Sequence, residues 1–479
     1  MPEDEAKPAE APKLTDETPI ETQHRLALKG KTLDYKVTAG RLPLKNDKGE
    51  IEANVFYVAY TLQPDKDAKK KRPLTFSFNG GPGSSSVWLH LGALGPQRVK
   101  MTPDGMMPPA PYELVANPSG WLEETDLVFI DPVGTGYSRA ATKELGEKFW
   151  GVKGDIESMG EFIRLYLTRN ERWTSPLFLV GESYGTTRAA GLAGHLIDHG
   201  IAFNGILLIS SILNFQTAVF AKGNDQPNVL YLPTYCATAW YHGKLGSRFM
   251  DLGQALKAAE EYALGPYAAL LAKGDQITEG ERSGAIKKLH ELTGLDPAYI
   301  DNVDLRIEIN TFCKELLRSE KRTVGRLDSR FKGLDANVAG ELPGFDPSMA
   351  AIRPPYTAMF NDYVRTKLGY KTDEPYLILG GGFEKWEWGS AIEGHPDTSE
   401  ALRQAFVKNP HMKLFVASGY YDLATPYFAT QYTLNHMGLD PTLRGNVSTA
   451  DFEAGHMMYI HEECLTKLKG EAGKFILGA

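Results

Sequence analysis

The segment Gly-Glu-Ser-Tyr-Gly at residues 181–185 has the residue types and the spacing that a nucleophilic serine needs. Small residues two positions before and two positions after Ser183 allow a sharp turn that exposes the serine hydroxyl. An apolar run at residues 177–180 precedes this turn, and a helical pattern over residues 186–198 follows it. We therefore predict that Ser183 lies between a strand and the N-terminus of a helix, where developing negative charge is favoured.

A serine hydroxyl attacks efficiently when a base accepts its proton and an acid orients that base. Asp422 and His456 each follow a strand-like segment, and the chain order Ser, Asp, His is that of a known triad arrangement. We expect Asp422 to orient His456, and His456 to accept the proton of Ser183. Asp451 and Glu453 are the rival acids, but both lie too close to His456 in the sequence for this arrangement.

The negatively charged oxygen of an acyl-transfer intermediate needs backbone N–H donors. The first donor is expected to be the N–H of Tyr184, directly after the nucleophile. The second is expected from the glycine-rich segment Asn-Gly-Gly-Pro-Gly-Ser-Ser-Ser at residues 79–86, which follows the apolar run at residues 74–78. This segment lacks the Lys-Ser/Thr pair of a P-loop and the spacing of a dinucleotide-binding turn. It therefore favours an oxyanion hole over a phosphate site.

The elements that must position these residues alternate between strand-like and helical patterns. Apolar runs typical of buried parallel strands occur at residues 74–78, 127–130, 177–180, 206–209 and 414–417. Before them, residues 25–62 contain alternating segments that predict antiparallel strands. Helical patterns separate the apolar runs, so the sequence predicts an α/β fold with right-handed crossovers.

Composition and pattern divide the chain into four segments. Residues 1–24 begin with a polar stretch rich in Pro, Glu, Ala and Lys, and we predict a disordered tail. Residues 25–214 and 371–479 are expected to form the two parts of the α/β core. Between them, residues 215–370 change to mainly helical patterns, with runs at residues 252–271, 277–292 and 305–317. We predict that this insertion is a cap over the strand ends where ligands bind.

The composition excludes several classes of protein. A net charge of −8 over 479 residues, with no stripe of Lys or Arg, argues against nucleic-acid binding. The sequence has no apolar run of about 18 residues that would span a membrane. Cys236, Cys313 and Cys464 allow at most one disulfide bond and have no zinc-like spacing. His456 and His461 lack the His-Glu-x-x-His pattern, so we expect neither a metal nor a cofactor.

Taken together, these motifs resemble those of the serine carboxypeptidase family. The family motifs Asn-Gly-Gly-Pro-Gly-x-Ser-Ser, Asp-x-Pro-x-Gly-x-Gly-Tyr/Phe-Ser, Gly-Glu-Ser-Tyr and Gly-His-Met are similar to residues 79–86, 130–138, 181–184 and 455–457. The likeness covers most of residues 70–215 and 410–460. It implies an α/β-hydrolase fold, with a mostly parallel central sheet and a largely helical cap insertion. The family's cysteine-rich pattern in secreted eukaryotic members is absent, which favours a bacterial-type member.

The resemblance also implies an activity and a set of site residues. The protein would release C-terminal residues from peptides through an acyl-enzyme on Ser183. Gly81 and Tyr184 would donate the N–H groups of the oxyanion hole. The implied substrate-binding residues are Asn79, Gly80, Glu182 and Met457, of which Asn79 and Glu182 would bind the terminal carboxylate of the substrate. The expected partner is a peptide or a small acyl substrate.

The chain departs from the family pattern at one position of the expected carboxylate site. Family members usually carry a second glutamate in a Glu-x-Gly-Pro segment, where this chain has Ala93 followed by Leu-Gly-Pro. The missing carboxyl keeps an esterase or acyltransferase with the same triad as the alternative function. The resemblance to secreted peptidases favours export to a periplasm or out of the cell, with the signal peptide absent from this chain. A cytoplasmic location and the oligomeric state, a homodimer included, stay open.

Overall fold

The apolar runs and the helical patterns between them fold around one mixed sheet. The computed structural model describes residues 14–28, 30–63, 72–390 and 394–479. Its strands are β1 (Ile20–Leu28), β2 (Lys31–Lys45), β3 (Ile51–Leu62), β4 (Leu74–Phe78), β5 (Gln97–Val99), β6 (Leu114–Ala116), β7 (Asp126–Ile130), β8 (Arg139–Ala140), β9 (Leu177–Ser183), β10 (Gly205–Ser211), β11 (Arg322–Val324), β12 (Lys332–Leu334), β13 (Lys413–Gly419) and β14 (Val447–Phe452).

Helices connect these strands and cover the sheet. They are α1 (Val87–Leu89), α2 (Lys143–Glu147), α3 (Val152–Arg169), α4 (Tyr184–Asp198), α5 (Gln226–Tyr241), α6 (Leu252–Tyr262), α7 (Ala268–Leu271), α8 (Glu279–Thr293), α9 (Pro297–Asn302), α10 (Ile309–Glu315), α11 (Pro347–Thr366), α12 (Ser399–Lys408), α13 (Tyr427–His436) and α14 (Glu462–Gly478). Among the residues described, none of these helices is long and apolar enough to cross a bilayer.

The sheet is antiparallel at one edge and parallel through its centre. In the described residues its strand order is β1-β2-β3-β7-β4-β9-β10-β13-β14, with the short strand β8 paired to β3. The first three strands pair in antiparallel fashion, and β3 is antiparallel to β7. From β7 to β14 every neighbouring pair is parallel. The predicted α/β class, the antiparallel N-terminal strands and the mostly parallel sheet are confirmed.

Burial on both faces explains why the central strands read as continuous apolar runs. Along β9, Phe178 and Val180 belong to the hydrophobic core on one face of the sheet, while Leu179 belongs to the core on the other. Since side chains alternate across a strand, both faces require apolar residues when helices cover both. The helices α3, α4 and α12 supply residues to the second core, and α11 and α14 to the first.

The region between β10 and β13 is mainly helical and has a third hydrophobic core. Helices α5, α6, α8 and α10 contribute to this core, and the hairpin of β11 and β12 lies within the same region. Tyr421 and Leu423, from the loop after β13, are buried in it as well. The loop that carries Asp422 is therefore packed against the helical region as well as joined to the sheet.

Regular structure begins nearer the N-terminus than the sequence predicts. Residues 1–13 of the expected tail lie outside the described residues, and β1 begins inside the expected range, at Ile20. Asp16 forms an ion pair with Arg169. The pairing of β1 with β2 satisfies backbone groups that a disordered tail would leave in water.

A buried ion pair lies inside the helical region. Lys314 and Asp335 are both fully buried, and the Lys314 ammonium also donates to the backbone carbonyl of Asn337. A buried charge is tolerated when it is paired and hydrogen-bonded. The pair therefore connects α10 to the segment after β12.

Replacing Asp335→Asn should destabilise this region, because the Lys314 ammonium would remain buried without its counterion. We expect the free energy of unfolding to fall by about 3–5 kcal/mol, measured by urea denaturation. The control is Asp301→Asn, which removes a partly exposed partner of Arg282 and should cost about 1 kcal/mol or less. Equal losses of unfolding free energy in the two variants would mean that the buried ion pair of Lys314 and Asp335 stabilises the protein no more than an exposed one.

Candidate active site

Ser183 lies in a strained turn between β9 and α4. Its backbone has φ 60° and ψ −132°, a left-handed region that non-glycine residues seldom adopt. A Cβ on Gly181 would come within 2.1 Å of the carbonyl oxygen of Gly185, so both flanking positions are crowded by backbone. The predicted strand-turn-helix arrangement around Ser183 is confirmed, and its strain is of the kind found at functional sites.

Asp422 and His456 form a buried hydrogen-bonded pair. His456 Nδ1 lies 2.7 Å from Asp422 Oδ2. The other carboxylate oxygen accepts hydrogen bonds from the backbone N–H groups of Ala424 and Thr425. Burial disfavours the charged imidazole, but the Asp422 carboxylate outweighs this effect and raises the pKa of His456. The pair can therefore accept and hold a proton.

Two hydroxyl groups that sequence reasoning missed support this pair. Thr425 Oγ1 lies 2.7 Å from Asp422 Oδ2 and 3.0 Å from the carbonyl oxygen of Ser210. The Ser210 hydroxyl donates to the carbonyl oxygen of His456, and the His456 N–H donates to Leu327. The end of β10 thus connects both loops. A threonine or serine in a loop carries no sequence signal for such a role.

Ser183 and His456 lie in one neighbourhood. Glu182, directly before Ser183, and His456 shift each other's pKa, so their charges interact. In the part of the chain described, no hydrogen bond joins Ser183 Oγ to the imidazole, and such contacts commonly tighten only with substrate bound. The rival acids Asp451 and Glu453 do not hydrogen-bond to His456 within the described residues, and their backbone carbonyls accept from Lys467 and Arg330.

The glycine-rich turn after β4 lies against the start of α4. A Cβ on Gly80 would come within 2.4 Å of Tyr184 N and 2.6 Å of Gly185 N. Gly81 has a φ of +101°, which favours glycine. The predicted pair of N–H donors, Gly81 and Tyr184, is therefore drawn from two backbone segments in direct contact. Their role in an oxyanion hole stays a prediction.

A buried arginine that was not predicted from the sequence, Arg188, hydrogen-bonds to this turn. Arg188 donates from Nη1 to the carbonyl oxygen of Asn79 at 2.7 Å, and from Nε to Asp155 Oδ2 at 2.8 Å. Its guanidinium lies over the rings of Phe78 and Tyr184, at 5.1 and 5.4 Å. One side chain therefore contacts both segments that carry the candidate donors. Its position one turn into the helix after the nucleophile was the available signal.

Glu182 and Asn79 are buried side by side near the nucleophile. Burial raises the pKa of Glu182 to about 7, although His456 and the hydroxyl of Tyr459 oppose the rise. Tyr459 donates to Glu182 Oε2 at 2.6 Å. Asn79 Oδ1 accepts from the N–H of Leu89, while its Nδ2 has no hydrogen-bond partner among the described residues. The amide group nevertheless lies close enough to Glu182 to lower its pKa.

Phenol groups lie near Glu182 and pack against the turn that carries Ala93. Ala93 is fully buried in a π-helical turn. A Cβ on its neighbour Gly92 would come within 2.6 Å of both the Tyr356 hydroxyl and the Tyr459 ring. Burial and the charge of Glu182 raise the pKa of Tyr356, so this hydroxyl stays neutral. Tyr459 is the hydrogen-bond donor that sequence reasoning did not anticipate.

Met457 is buried beside His456, at the start of a short 3-10 turn.

The three cysteines are buried and free. No cluster of three or more His, Cys, Asp or Glu side chains within the described ranges is arranged to hold a metal ion.

The sheet order and the strained serine turn define an α/β-hydrolase, and a solved structure supports this class. The crystal structure of Kex1Δp, a prohormone-processing carboxypeptidase from Saccharomyces cerevisiae, matches with a TM-score of 0.55 and 15% sequence identity. The match covers 92% of this chain and 91% of that chain. At this identity the likeness establishes the fold alone. The predicted α/β-hydrolase fold is confirmed.

The chain belongs to the serine carboxypeptidase family, whose family model matches residues 30–283. Pheromone-processing carboxypeptidase KEX1 of Coprinopsis cinerea is 30% identical over 157 residues, or 32% of this chain and 24% of that protein. Serine carboxypeptidase-like 13 of Arabidopsis thaliana is 30% identical over 154 residues, or 30% of this chain and 34% of that protein. The aligned part is thus about a quarter to a third of each relative.

Arg188→Lys should disturb the glycine-rich turn at residues 79–86, because an ammonium cannot bind Asp155 and the Asn79 carbonyl in the same forked geometry. We expect kcat for an activated ester to fall about tenfold to a hundredfold, with little change in KM. Binding of a peptide boronate, which mimics the tetrahedral intermediate, should weaken by a similar factor.

The matched control for this prediction is Arg172→Lys. Arg172 forms a comparable ion pair with buried Asp126, at the opposite end of the sheet. This variant should lower thermal stability and leave kcat and boronate affinity unchanged. A similar loss of kcat in both variants would mean that Arg188 supports only the fold.

Proposed function

We propose that the protein is a serine carboxypeptidase that removes C-terminal residues from peptides. The observation that carries this proposal is the buried pair of Glu182 and Asn79 directly beside Ser183. Glu182 has a pKa raised to about 7, and the Asn79 amide has a donor without a partner among the described residues. A protonated carboxyl and an amide N–H are both able to donate to a carboxylate. They suit the free C-terminus of a peptide.

In the proposed reaction Ser183 Oγ attacks the carbonyl carbon of the last peptide bond while His456 Nε2 accepts its proton. The N–H groups of Gly81 and Tyr184 bind the oxyanion that forms. His456 then gives the proton to the leaving amine, and the C–N bond breaks. Water, activated by the same imidazole, hydrolyses the acyl-enzyme and restores the serine. Asp422 holds the imidazole in the required tautomer and favours its charged form.

The remaining expectations belong to this proposal. Gly80 shapes the turn, and Met457 contacts the substrate beside His456. The helical region at residues 215–370 acts as the cap over the peptide, between core segments 25–214 and 371–479. We propose an exported protein, in keeping with a peptidase role. A bacterial-type member stays a prediction without support, because the relatives compared come from fungi and a plant.

The proposal is tested with an N-blocked dipeptide, its C-terminal amide and its C-terminal ester. We expect the free acid to be cleaved with a kcat/KM at least about tenfold above that of the amide, because only the free acid bears the carboxylate. The Ser183→Ala variant should cleave none of the three and should not be labelled by a fluorophosphonate. Equal rates on acid and amide, with rapid ester cleavage, would favour the esterase alternative instead.

The preference for the free acid should depend on pH through Glu182. Below a pKa of about 7 the protonated carboxyl donates to the substrate carboxylate, and above it the ionised form repels the substrate. The ratio of kcat/KM for acid over amide should therefore fall as the pH rises through 7. The ratio cancels the titration of His456, which affects both substrates.

Tyr459→Phe removes a donor that stabilises ionised Glu182, so the fall in this ratio should move to higher pH. Tyr363→Phe is the matched control, since Tyr363 is buried and its hydroxyl lies near that of Tyr60 rather than Glu182. It should leave the pH of the fall unchanged. A ratio independent of pH in the wild-type enzyme would argue against Glu182 as the carboxylate-binding group.

A further inference from the structure

The backbone at Arg326 and Leu327 is hydrogen-bonded to both candidate triad loops. The carbonyl oxygen of Arg326 accepts the N–H of Leu423, next to Asp422, at 3.0 Å. The carbonyl oxygen of Leu327 accepts the N–H of His456 at 2.6 Å. Residues 326 and 327 therefore border the acid and the base at once.

The Arg326 side chain is exposed, and its charge is unpaired among the described residues. Among the described residues its guanidinium makes no hydrogen bond and no ion pair, whereas nearby Arg330 is paired with Asp328. Its positive charge lowers the pKa of His456. Burial raises the pKa of Tyr231, and the charge of Arg326 opposes this rise. The hydroxyl of Tyr231 donates to the Ala424 carbonyl, beside Asp422. The guanidinium therefore lies within electrostatic reach of the triad.

Arg326 also lines a cavity of about 280 Å³. Its apolar wall includes Leu342 and Phe345, which are 54% and 44% exposed. The cavity contains one carboxylate, that of Asp346, which already accepts from the N–H groups of Arg326 and Ser348 and from the Ser348 hydroxyl. Asp346 caps α11 and does not form an ion pair with the guanidinium within the described residues. The cavity thus offers an unpaired cation and an apolar surface.

Resting on the proposed function, we propose that Arg326 binds a carboxylate of the peptide substrate and thereby favours acidic substrates. A guanidinium binds a carboxylate through two parallel hydrogen bonds, and exposure to solvent keeps the unpaired state inexpensive before substrate arrives. The carboxylate belongs either to an acidic side chain next to the scissile bond or to the C-terminus itself. The same chemistry serves both, and suitable substrates distinguish them.

The test uses N-blocked dipeptides with Glu or Gln at either position, each as the free acid and as the C-terminal amide. In Arg326→Gln we expect the preference for Glu over Gln at one position to fall about fivefold to tenfold. If the ligand is the C-terminal carboxylate, the preference for acid over amide falls by that factor instead, for Glu and Gln alike. Arg326→Lys should retain part of the preference.

Arg322→Gln is the matched control. Arg322 is in β11, and its guanidinium hydrogen-bonds to the backbone carbonyls of Glu320 and Lys321. This variant should change no preference. Equal effects of Arg326→Gln on all substrates, or no effect on any, would overturn the proposal.

Binding separates this proposal from the proposed function. Dissociation constants of the same peptides for Ser183→Ala, with and without Arg326→Gln, are measured by calorimetry. A wild-type enzyme that releases no residue overturns the carboxypeptidase assignment. In the Ser183→Ala variant the dissociation constants of the Glu and Gln peptides, or of the acid and amide forms, should differ about fivefold to tenfold. Loss of that difference with Arg326→Gln would still support carboxylate recognition by Arg326. Equal dissociation constants would overturn it.

Discussion

Two backbone segments meet at the nucleophile with no room for a side chain between them. A Cβ on Gly80 would overlap the amide of Tyr184, and a Cβ on Gly185 would come within 2.9 Å of the carbonyl oxygen of Phe78. The glycine-rich turn therefore lies against the start of α4, directly after Ser183 with its positive φ. The parallel strands then place Asp422 and His456 at the same edge of the sheet.

Much of the fold could be predicted because its signals are local. Strand β4 occupies residues 74–78 as expected, since an apolar run bounded by turns specifies a buried strand. The serine turn was also readable, because its steric constraints demand glycine at fixed spacing. The segment around Ile20 was read as part of a tail, and its pairing with β2 is a long-range contact that composition does not reveal.

The parts of the site that escaped prediction depend on partners distant in sequence. Tyr459 meets Glu182 across 277 residues, and Arg188 meets Asn79 across 109. Neither a tyrosine after a histidine nor an arginine in a helix has a spacing rule that marks these contacts. Ala93, where the family resemblance implies a carboxyl, is buried in the π-helical turn. The sequence does not show that Tyr459 packs against the neighbouring Gly92, because folding brings these two residues together.

The loop of Asp422 belongs to two structural layers, since Tyr421 and Leu423 are buried in the core of the helical region. Movement of that region would therefore be transmitted mechanically to the carboxylate that orients His456. A replacement of the helices in this region would have to keep the apolar side chains that pack around Tyr421 and Leu423. The helical region is thus coupled by packing to the loop that carries Asp422.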